Sequence, residues 1–370
     1  MIRQSDGKIG FRELIAFLLL TIAFKNADMT PLILFNQIKH STWMMPIIAG
    51  LFLVGPLLIL LSLLEKYKDK GLVQLNYAIL GKYIGFVINI SLFVMGLLAV
   101  SLFARNSADM LNALFFPRTP TFALLVFGVA VSYFIANRGL EVIGRVSWFF
   151  FPILLSVLTF LFLLIYRKIT PAFIYPIWGP GIKTIIRESI GHNSLLIELF
   201  YITILYPFFR KRKEYKYGAL IGGALSILIL SLSFALYLMI FDYPSIEKIA
   251  YPFQSLTMFV GLGRFISNIE AYFMFFWVIG STIRFAIYIY LLAAAFGYTL
   301  KLKEFEPLVL PMSAMIALIG ILPINSIIAV LYWRSKYLQL GGSMFFIFLP
   351  LILWLVDYVK GKGVRDEKTG

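Results

Sequence analysis

Five ionisable residues stand where apolar runs should exclude them: Lys25, Asp28, Arg105, Glu198 and Arg284. Placing such a group at the centre of a membrane-spanning helix costs about 2.5–3.5 kcal/mol, so each needs a partner, a cavity or a ligand. Lys25 and Asp28 are spaced i,i+3, at which a local ion pair can neutralise both. Glu198 lies one helical turn beyond Ser194. Arg284 is 17 residues into its apolar run, too deep to snorkel to an interface. It is expected in the bundle interior, against an acidic residue or a backbone carbonyl. Arg105 and Asp109, spaced i,i+4 near the end of their run, read as a surface pair.

Two of these groups coincide with interruptions of a helix. Lys25-Asn26-Ala27-Asp28-Met29-Thr30-Pro31 breaks one apolar run, and Ser189-Ile190-Gly191-His192-Asn193-Ser194 breaks another. Unwinding frees backbone N–H and C=O groups that lipid cannot satisfy, so they must line a cavity or find a partner. By rise per residue the two breaks fall within a few ångströms of one level in a ~30 Å core. Corresponding interruptions in two halves point to a transporter-like site near the midplane. The breaks are therefore expected to form one cavity. His192 reads as a hydrogen-bonding core residue, since a metal site needs several convergent ligands and the sequence offers no such group. No Walker loop, HExxH, GxSxG or dinucleotide fingerprint is present, which leaves enzyme chemistry, a cofactor or a catalytic residue without support.

The elements that hold these residues follow from composition. Hydrophobic residues make up 61 % of the 370 and charged residues 14 %, against about 45–50 % and about 25 % in soluble domains. The class is an all-α polytopic membrane protein, one transmembrane domain over 1–370. Apolar runs of about 20 residues give ten spans, near 10–38, 43–64, 83–115, 121–138, 143–166, 184–209, 217–241, 267–297, 306–323 and 341–358. The stretch 324–340 reads as an interfacial helix, and a crossing at 322–336 would make eleven. The ten divide into two fives, about 10–166 and 184–358, with spans 1 and 6 broken. Gly218-x-x-x-Gly222-Gly223 on span 7 reads as small-residue helix packing. Trp43, Tyr67, Tyr83, Trp148, Trp178 and Tyr215 lie near span ends, as an aromatic belt would.

With the N-terminus inside, cytoplasmic segments carry 20 Lys and Arg and the opposite side 10, so both termini are expected in the cytoplasm. The opening MIRQSDGKIGFRE reads as a short lead into span 1, without a cleavage site for a signal peptide. The net charge of +15 sits beside membrane exits, as in Arg210-Lys211-Arg212-Lys213, and reads as topology rather than nucleic-acid binding. The absence of cysteine excludes disulfides, thiol catalysis and Cys-ligated metals.

At the level of motifs the chain resembles the B subunit of bacterial spore-germination receptors, within the amino acid–polyamine–organocation transporter superfamily. The likeness rests on Lys25 to Pro31, Trp43-Met44-Met45-Pro46 with Ala49-Gly50, Pro117-Arg118-Thr119-Pro120, Tyr251-Pro252, and Ile269-Glu270 through Trp277 to Ile283-Arg284. Many relatives carry Gly-x-Gly at the span 1 break, where this chain has Lys-Asn-Ala-Asp. The resemblance implies a LeuT-like fold of 5+5 inverted repeats in the spore inner membrane. It implies a small germinant as ligand, such as an amino acid, sugar or nucleoside, and A-type and C-type receptor subunits as partners. A zwitterionic amino acid needs both its charges answered in a desolvated site. Lys25 can meet a carboxylate and Asp28 or Glu198 an ammonium, while Thr30, Asn193 and Ser194 supply neutral hydrogen bonds. The candidate ligand-binding set is Lys25, Asn26, Asp28, Thr30, Gly191, His192, Asn193, Ser194, Glu198 and Arg284. The rival readings are an autonomous proton-coupled amino acid transporter and a channel-like subunit conducting ions along the same polar column.

Overall fold

The computed structural model describes residues 8–260, 269–322 and 340–366. The interfacial helix expected at 324–340 and the crossing at 322–336 fall outside the described residues, save their ends. Among the described residues the protein is helical, with a single isolated parallel bridge between Ile9 and Phe209. Six helical stretches are long and apolar enough to cross a membrane: Thr30–Lys66, Leu72–Leu114, Leu140–Lys168, Arg212–Phe241, Glu270–Thr299 and Gly341–Lys360. Shorter apolar helices lie at Thr121–Ala136, Glu198–Phe208 and Glu306–Ile321. The chain is a multi-pass membrane protein.

The broken first run comprises α1 (Phe11–Thr21), a 3-10 turn (Ala23–Ala27) and α2 (Thr30–Ile38). Gly10 starts α1 because the Glu13 carboxylate accepts its amide at 3.0 Å, satisfying one of the N-terminal donors a helix leaves open. Then come α3 (Met45–Lys66), α4 (Leu72–Leu114), α5 (Thr121–Ala136) and α6 (Leu140–Ile165). The helix α4 begins eleven residues before the span expected from 83, because Gly81 turns the chain at φ +84, a conformation in which a side chain would be strained. Asn76 donates to Asn89 at 2.7 Å, and Asn89 donates to the Val73 carbonyl at 3.0 Å, fixing this corner.

The second broken run comprises α7 (Ile182–Gly191), a 3-10 turn (Asn193–Leu196), the single turn α8 (Glu198–Tyr201) and a 3-10 stretch (Ile202–Phe208). Beyond it lie α9 (Arg212–Phe241), α10 (Tyr243–Ile246), α11 (Pro252–Phe259), α12 (Ile269–Thr299), α13 (Val309–Ile321) and α14 (Leu340–Asp366).

The glycines of α9 admit α1 closely. A Cβ at Gly218 would lie 2.9 Å from Leu14, and one at Gly222 would lie 2.9 Å from Leu18 and 3.2 Å from the Ile15 Cα. Gly223 faces Leu199 in the same way, so α9 packs on both broken runs. The innermost long helix is α12, with 83 % of its most apolar window buried against 11 % for α6 at the periphery. Of the expected aromatic belt, Tyr83, Trp148 and Trp178 are exposed. Tyr215 departs from it: it is fully buried and packs edge-on against Tyr206 and Phe209. At the end of α3, Lys66 and Tyr67 both donate to Asp357 of α14, each at 2.7 Å. Burial, with this hydrogen bond and the carboxylate charge, pushes the Tyr67 hydroxyl up to about 12, so it remains a donor.

Candidate functional site

Both interruptions are real, and a charge reaches from one to the other. The Lys25 ammonium donates to Glu198 and to the Leu195 carbonyl, each at 2.7 Å. The second bond satisfies a carbonyl in the unwound part of the second broken run. The Tyr288 hydroxyl of α12 donates to the other Glu198 oxygen at 2.7 Å. Lys25 and Glu198 are each 2 % exposed, so this ion pair is dry.

Asp28 and Lys25 do not clasp each other as their spacing suggests. The turn Ala23–Ala27 ends before Asp28, whose backbone is extended (φ −115, ψ −164). Its side chain has therefore left the face on which i,i+3 partners meet. One Asp28 oxygen accepts the amide of Thr30, the first residue of α2, at 2.6 Å. The other faces the Arg284 guanidinium at 3.4 Å. Arg284 is 4 % exposed and points into the bundle. Two cations and two anions thus form a neutral, buried quartet. The Phe103 ring of α4 lies beneath both cations, 5.9 Å from the Lys25 nitrogen and 4.8 Å from the Arg284 guanidinium carbon. Such contacts favour a desolvated cation by up to about 2 kcal/mol.

Backbone groups freed by the breaks are met by side chains from neighbouring helices. Tyr237 of α9 donates to the Asn26 backbone carbonyl at 3.0 Å, and the Asn26 side-chain nitrogen donates to Ser233 at 2.9 Å. The Ala27 carbonyl accepts from Gln254 at 3.0 Å and from Trp277 at 3.1 Å. In the second break, the Ser343 hydroxyl of α14 donates to the Gly191 carbonyl at 2.8 Å and accepts the Ser194 amide at 3.1 Å. Neither of the two cavities beside these residues is lined by both breaks. One cavity borders Asn26 and Ala27, and another borders Ile197, Glu198 and Tyr201. The Lys25 side chain fills the gap between the breaks.

Among the side chains of the second break, the buried Ser189 hydroxyl lacks a hydrogen-bond partner, and so does Asn193. Asn193 is 1 % exposed, and neither its amide nitrogen nor its amide oxygen has a hydrogen-bond partner. Arg284 also keeps an unmet Nε–H. His192 turns back on its own helix, with Nδ1 at 2.9 Å from the Glu188 carbonyl. Arg105 and Asp109 pair at 2.9 Å, but not on an open surface: their side chains are 15 % and 17 % exposed, and Arg105 also reaches the Gly320 carbonyl at 3.3 Å. Tyr288, Phe103, Ser343, Gln254 and Trp277 escape a search for charges inside spans because each is ordinary in an apolar helix. The one signal for Tyr288 is its place one turn after Arg284.

A family profile described as "Spore germination protein" matches residues 17–329. The spore germination protein B2 of Bacillus subtilis (strain 168) is 24 % identical over 281 residues, covering 74 % of this chain and 75 % of the relative. The spore germination protein KB of the same organism is 24 % identical over 280 residues, 72 % of each chain. Its spore germination protein A2 is 22 % identical over 263 residues, 70 % of this chain and 72 % of the relative.

Proposed function

The chain belongs to the family of spore germination proteins, and from that premise we propose that it is the germinant-binding B-type subunit of a receptor in the spore inner membrane. The contact of Lys25 with Glu198 and Leu195 carries this reading, because it joins the two helix breaks at the charges an amino acid would engage. On this reading the ten expected spans form a LeuT-like 5+5 inverted repeat, about 10–166 and 184–358, with both termini cytoplasmic. A-type and C-type subunits receive the signal.

Without ligand, Lys25 satisfies Glu198. An incoming ammonium competes for Glu198, while the carboxylate draws Lys25 or the unmet Arg284 Nε–H, and Asn193 supplies a neutral donor and acceptor. Thr30, Asn26, Gly191, His192 and Ser194 shape the two breaks around it. Exchange of the Lys25–Glu198 contact for ligand contacts gives the two states different affinities, the condition for a ligand to shift a population.

The test is ligand-dependent thermal stabilisation of the purified chain against a panel of amino acids, sugars and nucleosides. At least one compound should stabilise the wild type and fail to stabilise Glu198→Gln; a panel that stabilises both equally would overturn the assignment. A second reading, an autonomous proton-coupled amino acid transporter, draws on the cavity beside Glu198, Tyr201 and Tyr288, which brings space to a buried carboxylate. Ligand flux into liposomes holding this chain alone would favour that reading over a sensing subunit.

A further inference from the structure

We propose that a crevice between α1, α6 and α12 is a binding site for the acyl chain of a membrane lipid, which props the first helix break from behind. Its floor is buried: Leu19, Leu20, Asn26, Ala27 and Trp277 are each at most 4 % exposed. Its rim is half-exposed on the least buried long helix, α6, where Leu155 is 38 % exposed. A crevice that opens on a lipid-facing helix at the depth of a mid-span break is reached by hydrocarbon tails before anything else.

Size and chemistry favour the same occupant. The space open to the centre of a water-sized sphere is about 70 Å³, several times the ~10–15 Å³ that holds one water. The lining is apolar apart from Asn26, one of whose side-chain N–H groups donates to Ser233. Apolar cavities of this kind stay dry and take apolar ligands. Lys25, Asp28, Glu198 and Arg284 do not line it, so a zwitterion there would leave both its charges unanswered.

The site touches the break directly. Phe24, next to Lys25, lines the crevice and stacks on Trp277 at 6.4 Å between ring centres. It fits there because α12 carries Gly280, whose Cβ would lie 2.6 Å from the Phe24 ring. An acyl chain in the crevice packs against Phe24 and Trp277, and Trp277 is also a donor to the Ala27 carbonyl.

The test uses the whole chain in vesicles of dioleoyl phosphatidylcholine, compared with the same lipid brominated across its double bonds. The chain has six tryptophans, so the emission of Trp277 is isolated as the difference between the protein and Trp277→Phe. Brominated tails should quench this difference emission. Two fillings from different walls, Leu154→Phe on α6 and Ala23→Leu at the break, should each relieve the quenching, and either suffices if the other fails to fold. Unquenched Trp277 emission, or quenching that persists when the crevice is filled, would overturn the proposal. Neither readout involves a germinant, so the outcome is independent of the function proposed above.

Discussion

Lys25 and Glu198, 173 residues apart in the chain, meet at 2.7 Å with 2 % of each side chain exposed. One stands in the first helix break and the other just beyond the second, so the pair is a strut between the two broken runs. Removing one member of a buried pair strands the other at a cost of about 3–5 kcal/mol, whereas replacing both with apolar groups is often neutral. Lys25→Met and Glu198→Leu should each lower the thermal stability of the purified protein sharply, and the double variant should regain most of the loss. Additive losses would mean that the two charges are solvated independently.

Asp28 does two jobs. Asp28→Ala strands Arg284 and leaves the Thr30 amide without its acceptor, a hydrogen bond worth about 1 kcal/mol by itself. Asp28→Asn keeps an oxygen for the Thr30 amide and loses only the charge. Asp28→Ala should therefore be less stable than Asp28→Asn by about 1 kcal/mol. In a double-mutant cycle Asp28 should couple strongly to Arg284 and weakly to Lys25. A dominant Lys25–Asp28 coupling, measured by denaturation of the four variants, would restore the local clasp that their spacing suggests.

Much of this arrangement is legible in the sequence, and the part that is not has a physical cause. Polar residues inside apolar runs stand out singly, so Lys25 to Pro31 and Ser189 to Ser194 announce the breaks, and the depth of Arg284 announces its inward direction. Pairing is not visible, because it depends on backbone directions at the breaks. The extended Asp28 turns away from Lys25, and only the packing of α8 and α12 brings Glu198 and Arg284 to them. What meets the freed backbone groups is hidden for a related reason. Unwound carbonyls and amides must be satisfied, but Ser343, Gln254, Trp277 and Tyr237 do so from helices whose register no local pattern reveals.

Ser343 serves both a carbonyl and an amide of the second break, so Ser343→Ala leaves two half-buried groups without this partner, at no more than about 1–3 kcal/mol each. The loss should be local. Hydrogen exchange of the Ser194 amide should accelerate in this variant while the amides of α1 keep their protection. Unchanged exchange at Ser194 would show that another group satisfies it.

Glycines of similar sequence context should respond with opposite sign. At Gly222 a Cβ would meet the Ile15 Cα at 3.2 Å, and backbone cannot give way as a side-chain tip can. Gly222→Ala should destabilise the α1–α9 contact by about 1–3 kcal/mol. Gly128 of α5, followed by Val129 and not by a proline, has nothing within 4 Å of an added Cβ. There Gly→Ala should stabilise by about 0.5–1 kcal/mol through the lower entropy of the alanine backbone. Thermal melts of the two variants in one detergent check both signs.

Asn193 separates stability from function. A buried amide with no partner costs about 1–3 kcal/mol relative to a satisfied group, and Asn193 bears this cost at 1 % exposure. A leucine, branched at Cγ as asparagine is but larger, removes the unmet donor and acceptor without opening a hole. Asn193→Leu should therefore melt at a higher temperature than the wild type in the absence of ligand. If Asn193 bonds to the germinant, the same variant should bind it about tenfold or more weakly, the equivalent of about 1.4 kcal/mol. The paired measurement is the melting temperature of the variant with and without a compound that stabilises the wild type. A more stable variant that still responds fully would remove Asn193 from the ligand site and leave the charged quartet to recognise the ligand alone. A less stable variant would mean that the amide has a partner in solution, and the ligand would then have to displace it.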